Sequence, residues 1–151
     1  MIVEATHEHA VELAETMGEA DRAEVWAGAH HTPGEALMRC LRGSRDTKHS
    51  WLVDGRVMAM WGVGHYTPLS VEATPWMLGS RELPTHARTF ARGSKMIAAQ
   101  WKARYPILRN FVDARHTLAV RWVQWIGFNL LPAIPYGPDG VLFHPFESVR
   151  Q

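Results

Sequence analysis

The stretch LRNFVDARHTLAVRWVQWIGF, Leu108 to Phe128, decides the fold. Its opening, ILRNFVDA from Ile107, is dense in apolar and β-favouring residues and reads as a buried strand. From His116 the pattern changes period. Ala119, Trp122, Val123 and Ile126 fall on one stripe of a helix with about 3.6 residues per turn, and Gly127 stands where a helix ends in the left-handed conformation. A strand thus runs straight into an amphipathic helix across DARHT, and the two either pack together as plain core or form one wall of a ligand cleft.

Upstream, HARTFARGSKMIAAQWKARY (86–105) is a long helix that Pro106 ends. Phe90, Ile97 and Trp101 share one face, and Arg88, Arg92 and Lys95 another. RELPT before it is a loop. VEATPWMLGS (71–80) is a strand with Pro75 inside it, which demands an edge, a bulge or a splayed partner. HSWLVDGRVMAMWGVGHYTP (49–68) holds two strands joined by Asp54-Gly55, a strong hairpin signal. Alternation puts Trp51, Val53, Val57, Ala59 and Trp61 on one sheet face. Closer to the N-terminus, MIVEAT is a short strand, and a helix through Val11, Leu13, Ala14 and Met17 stops at Gly18. A helical stretch covers DRAEVWAGA, and another follows with Thr32 as N-cap, Pro33 at its first position and Glu35 closing a capping box before Gly43. After Phe128, the Pro-rich tail forms a last hairpin around GPDG (137–140). The outline is β-α-α-β-β-β-α-β-α-β-(β): an α/β chain with a mixed sheet, and residues 1–151 as one domain.

Charge is balanced overall, at +1 with histidine neutral, but unevenly placed. Residues 1–35 hold eight acids against Arg22 alone, whereas 81–121 hold nine Lys or Arg against Glu82 and Asp113. A basic second half suits a phosphorylated cofactor. Nucleic acid is the lesser reading, because no aromatic platform accompanies the Arg88/Arg92/Lys95 stripe. Cys40 is alone, which excludes an intrachain disulfide and suits a reducing cytoplasm. No apolar run reaches the roughly 18–20 residues of a membrane span, and the acidic N-terminus does not read as a signal peptide. HEH (7–9) and HH (30–31) lack metal-ligand spacing, and GVG (62–64) lacks the rest of a dinucleotide fingerprint; no metal is expected.

The element order and the segment NFVDARHTLAVRWVQWIGF resemble the GNAT superfamily of acyl-CoA-dependent N-acetyltransferases. There a strand is followed by a helix that ends in Gly-Phe. More narrowly, PWMLGS, RYPILRNFVDARHTLAVRWVQWIGF and GVLFHPFE look like a bacteriophage family of GNAT-like proteins, similar to an internal virion protein of T7-like phages. The resemblance implies a V-shaped opening between strand 71–78 and strand 107–113, with acetyl-CoA or another acyl-CoA between them and an amine as acceptor. The backbone of Met77 and Leu78, continued by Gly79, would hold the pantetheine arm. Three departures matter. SRELPTHARTFARGS has no glycine-rich pyrophosphate turn, so Arg81, His86, Arg88 and Arg92 would supply charge instead. Val123 stands where many relatives carry a Tyr acid. His116 replaces an Asn in DARHT and is a candidate acid or base. Glu72 is the family-like general base, with Asp113 second. The resemblance also admits a catalytically inactive reading: a virion or assembly protein that keeps the fold to bind other virion proteins. Oligomeric state is not legible, a homodimer being one option.

Overall fold

The protein is described as a computed structural model covering residues 1–45, 47–65 and 69–150. Its elements are β1 Ile2–Glu4, α1 His7–Thr16, α2 Glu19–Ala29, α3 Pro33–Gly43, β2 Lys48–Val53, β3 Arg56–Gly64, β4 Glu72–Gly79, α4 Ala87–Arg104, β5 Ile107–Asp113, α5 Thr117–Trp125, β6 Asn129–Leu130, β7 Ile134–Tyr136 and β8 Val141–Val149. They form a mixed eight-stranded sheet in the order β1-β2-β3-β4-β5-β8-β6, with β7 also on β8. Only β4 and β5 run parallel, as a helical crossover between them requires.

All three helical stretches read before the hairpin form helices, one more than the outline β-α-α-β writes. Gly18 does not stop α1 in a left-handed turn. It sits in extended conformation as the N-cap of α2, so one helix hands over directly to the next. The capping box of α3 forms as expected, with Thr32 Oγ1 accepting the Glu35 N–H and Glu35 accepting the Thr32 N–H. At α1 the same exchange uses His9 in the place of a carboxylate, which gives that histidine a structural partner. RELPT is not a free loop: Leu83–His86 make a 3-10 turn leading into α4.

Asp54 and Gly55 both take positive φ, 51° and 76°, the pair of values a two-residue hairpin turn needs to match strand twist. Beyond that turn the expected alternation fails at one residue. Trp51 pairs with Ala59 but Leu52 with Val57, so Met58 is an extra residue on β3. This bulge turns Val57 to the opposite face from Ala59 and Trp61; it packs with Met60, Leu78 and Leu13 while they pack with Phe90 and Trp101. The Glu12 carboxylate accepts the Val57 N–H at 2.6 Å and so satisfies the interrupted ladder. The end of the quoted run, 66–68, lies outside the described residues.

Two cores result. One face of the sheet packs on α1 and α3, the other on α4 and α5. The expected stripes of α4 and α5 are in the second core: Phe90, Trp101, Val123 and Ile126 are buried, with Ile97, Ala119 and Trp122 packed beside them. Helix α5 ends in a Schellman motif. Gly127, at φ 88°, donates to Gln124 O, and Phe128 donates to Val123 O. The Phe128 ring then folds back into the same core as Val123, so the Gly-Phe pair is a stop and an anchor together.

Candidate active site

Strand β4 pairs with β3 from Gly64↔Thr74 to Ala59↔Gly79, its last six residues. Against β5 it pairs only at Glu72↔Ile107 and Ala73↔Leu108. Beyond Leu108, β5 follows β8 up to Asp113↔Phe143, and the two parallel strands part. Along β4, backbone groups alternate in direction. Those of Pro75, Met77 and Gly79 point to the β5 side, as the bonds made by Pro75 O and Gly79 N show. Pro75 therefore lacks its N–H on the side where pairing stops, and removes a donor that β5 no longer satisfies. Leu78 points the other way and is laddered to Met60. Of these two backbones, that of Met77 faces the opening and that of Leu78 does not.

Side chains satisfy much of the opened backbone. Asn110 Nδ2 donates to Pro75 O at 2.7 Å and its Oδ1 accepts the Phe111 N–H at 2.7 Å, which laces the V just above its closed end. Helix α2 straddles the open end with one carboxylate for each arm. Asp21 Oδ2 accepts the Gly79 N–H of β4, and Glu24 Oε2 accepts the Asp113 N–H of β5, both at 2.9 Å. Residues 21 and 24 share a helix face because they are three apart. Asp21 Oδ1 also accepts from His116 Nε2 at 2.8 Å, and His116 Nδ1 accepts the Ala119 N–H at 3.4 Å as N-cap of α5. That pattern is the neutral Nε2–H tautomer.

Electrostatics separate these groups. Burial pushes the Glu24 carboxyl up to about 7, with repulsion from Asp21 adding to it. Burial opposes the charged form of His116, but the Asp21 carboxylate outweighs it and the net direction is upward. Asp113 is almost fully buried. Burial alone would raise its pKa, yet the Arg115 guanidinium at 2.7 Å and the Arg115 N–H bring it below the ordinary value.

Two cavities open on the slot. One, of about 600 Å³, is walled by α2, α3, β4, β5 and β8 and reaches through the slot to Trp101 of α4 and Trp122 and Val123 of α5; Glu24, Arg39, Trp76, Phe111 and Tyr136 stand in its wall. The other, of about 520 Å³, lies between α4, α5 and the end of β4, with Phe90, Arg81, Arg115, His116 and Arg121 in its wall. Asp21, Met77, Ala119 and Trp122 line both, so the passage through the sheet lies at these four residues. The Trp122 Nε1 there is a buried donor without a partner among the described residues.

This arrangement fits an acyl-CoA. The second cavity is walled mainly by apolar side chains, Met77 offers unladdered backbone, Trp122 an orphan donor, and arginines stand in the wall. Other sequence expectations change place. His86 packs edge-on to Trp51, at 5.8 Å between ring centroids, and neither it nor Arg88 nor Arg92 lines the second cavity. Arg81 does, but its guanidinium also caps α1 through Glu15 O and Thr16 O. The Gly79 N–H is taken by Asp21. Glu72 sits at the laddered end of the V, 3.3 Å from Arg109, which also holds Glu147. Glu24 and Asp21 were missed because α2 lies in the acid-rich first segment and reads as a solvated face. The available signal was two carboxylates three residues apart beside Val25 and Ala27, on a helix whose C-terminal half, Val25 to Ala29, is apolar.

No protein-family model and no curated protein sequence matches the chain significantly. Solved structures do. Ard1 from Thermoplasma volcanium superimposes with a TM-score of 0.70 at 16% identity, over 100% of this chain and 97% of that one. The yncA protein of Salmonella typhimurium, solved with its cofactor acetyl-CoA, gives 0.70 at 12% identity, over 100% and 94%. A GCN5-related N-acetyltransferase from Kribbella flavida gives 0.67 at 17%, over 99% and 96%. The chain thus shares its mixed α/β fold with GNAT acetyltransferases.

Proposed function

We propose that the chain is an acyl-CoA-dependent N-acyltransferase, with residues 1–151 acting as one catalytic domain. The observation that carries this reading is the parting of β4 and β5 after Ala73–Leu108, with Met77 facing a passage that joins two cavities. Acyl-CoA would supply an acyl group activated as a thioester. The cavity beside α4 and α5 holds the cofactor and the cavity under α2 and α3 holds the amine. The Met77 N–H polarises the thioester carbonyl, Trp122 Nε1 is a second donor in reach of the passage, and the apolar walls exclude water from both. Arg115, Arg121 and the N-terminus of α4 supply positive potential for the diphosphate. His116 serves by position: both ring nitrogens are engaged, and it ties the start of α5 to Asp21. Neither Glu72 nor Asp113 is assigned the proton transfer, since each is paired with an arginine.

Calorimetry with acetyl-CoA and CoA tests the reading, followed by thiol release in the presence of amines. Binding in the micromolar range supports it; no heat at near-millimolar cofactor overturns it.

A second reading is favoured by one observation. Asn110, Asp21 and Glu24 already occupy backbone groups of the slot, and Val123 provides no acid. A phage-encoded chain of this kind would serve as a virion or assembly protein, or as a partner in the host cytoplasm. Its stable presence in purified virions together with absence of acyl transfer would establish that role.

A further inference from the structure

Among the described residues, the larger cavity holds one acid whose carboxylate bonds no histidine, arginine or lysine side chain. Of the carboxylates in its wall, Asp21 is paired with His116, and Glu72 and Glu147 share Arg109. Glu24 has no ion-pair partner among the described residues, and its hydrogen bond from Asp113 N engages Oε2 alone, leaving Oε1 for a ligand. The charged groups that act on it are Asp21 on the same helix, His116 at the start of α5 and Asp113 at the end of β5, and Arg39 and His31 stand in the same cavity wall. It lies three residues from Asp21, which lines the passage, and so faces the amine side of the opening. Opposite stand flat apolar surfaces. Phe111 and Tyr136 stack at 4.0 Å between centroids and 19° between planes, Tyr136 meets Phe143 at 5.1 Å, and Trp76 is fixed by its bond to Ser44.

We propose that this cavity takes a primary amine carrying an aryl or similarly flat apolar group, and that Glu24 is the base that receives its ammonium proton. The inference rests on the acyltransfer reading and deepens it. The balance is as follows. The ammonium gives one proton to Glu24 Oε1, and the nitrogen lone pair of the resulting amine attacks the thioester carbonyl carbon to form the C–N bond. The C–S bond breaks with its electron pair on sulfur, the remaining surplus N–H proton passes to that thiolate through water, and Glu24 returns its proton to solvent. The carboxyl pKa near 7 suits this task at neutral pH. The aromatic walls hold the ring of the amine by stacking, and the carboxylate attracts its charge.

The test uses the full chain with acetyl-CoA and 2-phenylethylamine. Glu24→Gln is nearly isosteric and its amide oxygen still accepts the Asp113 N–H, so it folds; a urea melt verifies this. The expected result is a loss of about 10²–10⁴ in kcat/KM for the amine, acetyl-CoA binding by calorimetry within threefold of wild type, and disappearance of the limb near pH 7 from the pH–rate profile. If Glu24→Gln keeps activity within threefold and keeps that limb, the base assignment falls while the acyltransferase stands. If spermidine or glycine is a better acceptor than 2-phenylethylamine, the aryl-amine assignment falls. If the wild type binds no acetyl-CoA, the underlying acyltransfer reading fails first, and the assignment of Glu24 with it.

Discussion

Glu24 carries opposing contributions to stability and to chemistry. Its carboxyl titrates near 7 in the folded chain against an ordinary value of 4.5, so between these limits the fold holds a proton that the unfolded chain has released. Stability contributed by this group is therefore complete below pH 4.5, declines as pH rises, and is fully lost above about 7, a change of about 3 kcal/mol. Glu24→Gln removes that slope. Urea melts at pH 5 and pH 8 should show the variant's advantage over wild type growing by about 2 kcal/mol between the two. His116 moves in the same direction: its raised pKa stabilises the fold below its ordinary value of 6.5 and ceases to as pH passes the folded value. At this scale the sequence was least informative. Glu72 and Asp113 sit at strand ends where a base is expected, yet arginines claimed both. Which carboxylate stays unpaired depends on contacts between residues as far as 95 positions apart, such as Asp21 with His116.

At the scale of elements, two devices shape the slot. Gly127 holds φ 88° at the end of α5, and a Cβ there would strain the backbone and meet Lys102 Nζ at 2.8 Å. Gly127→Ala should cost about 1–2 kcal/mol, read from the shift of a urea midpoint. Asn110 bonds both arms of the V where they part. Asn110→Ala leaves Pro75 O without its side-chain donor and the Phe111 N–H without its acceptor, at a cost of about 2–4 kcal/mol by the same measurement. Hydrogen exchange separates the laddered and open parts of β4. The Leu78 amide should exchange slowly with or without cofactor, whereas the Met77 amide should be fast alone and protected by acetyl-CoA. Here the sequence was far more legible. The hairpin at Asp54-Gly55, the capping box at Thr32, the helix stop at Gly127 and the interrupted strand at Pro75 all depend on residues close in the chain. The β3 bulge at Met58 was hidden, because it is a relation between two strands and local alternation carries no trace of it.

For the whole molecule, the slot is where residues of both sheet faces line a shared cavity. A ligand filling it should stabilise both cores together: acetyl-CoA at about 100 times its Kd adds about 2.7 kcal/mol, which for a chain of this size raises Tm by about 5–10 °C. A single cooperative transition that moves as a unit is the expected scan; an unmoved transition at saturating cofactor contradicts the proposed use of the slot. By itself the sequence determined the order and type of most elements, the mixed α/β class and the strand that cannot complete a ladder, since capping, turn chemistry and a proline's missing N–H act over a few residues. The tertiary structure alone decided which backbone groups face the opening, which acids are neutralised and which one is left bare, because strand register and helix placement bring together charges from distant parts of the chain, and the energy of a buried carboxylate depends on those neighbours.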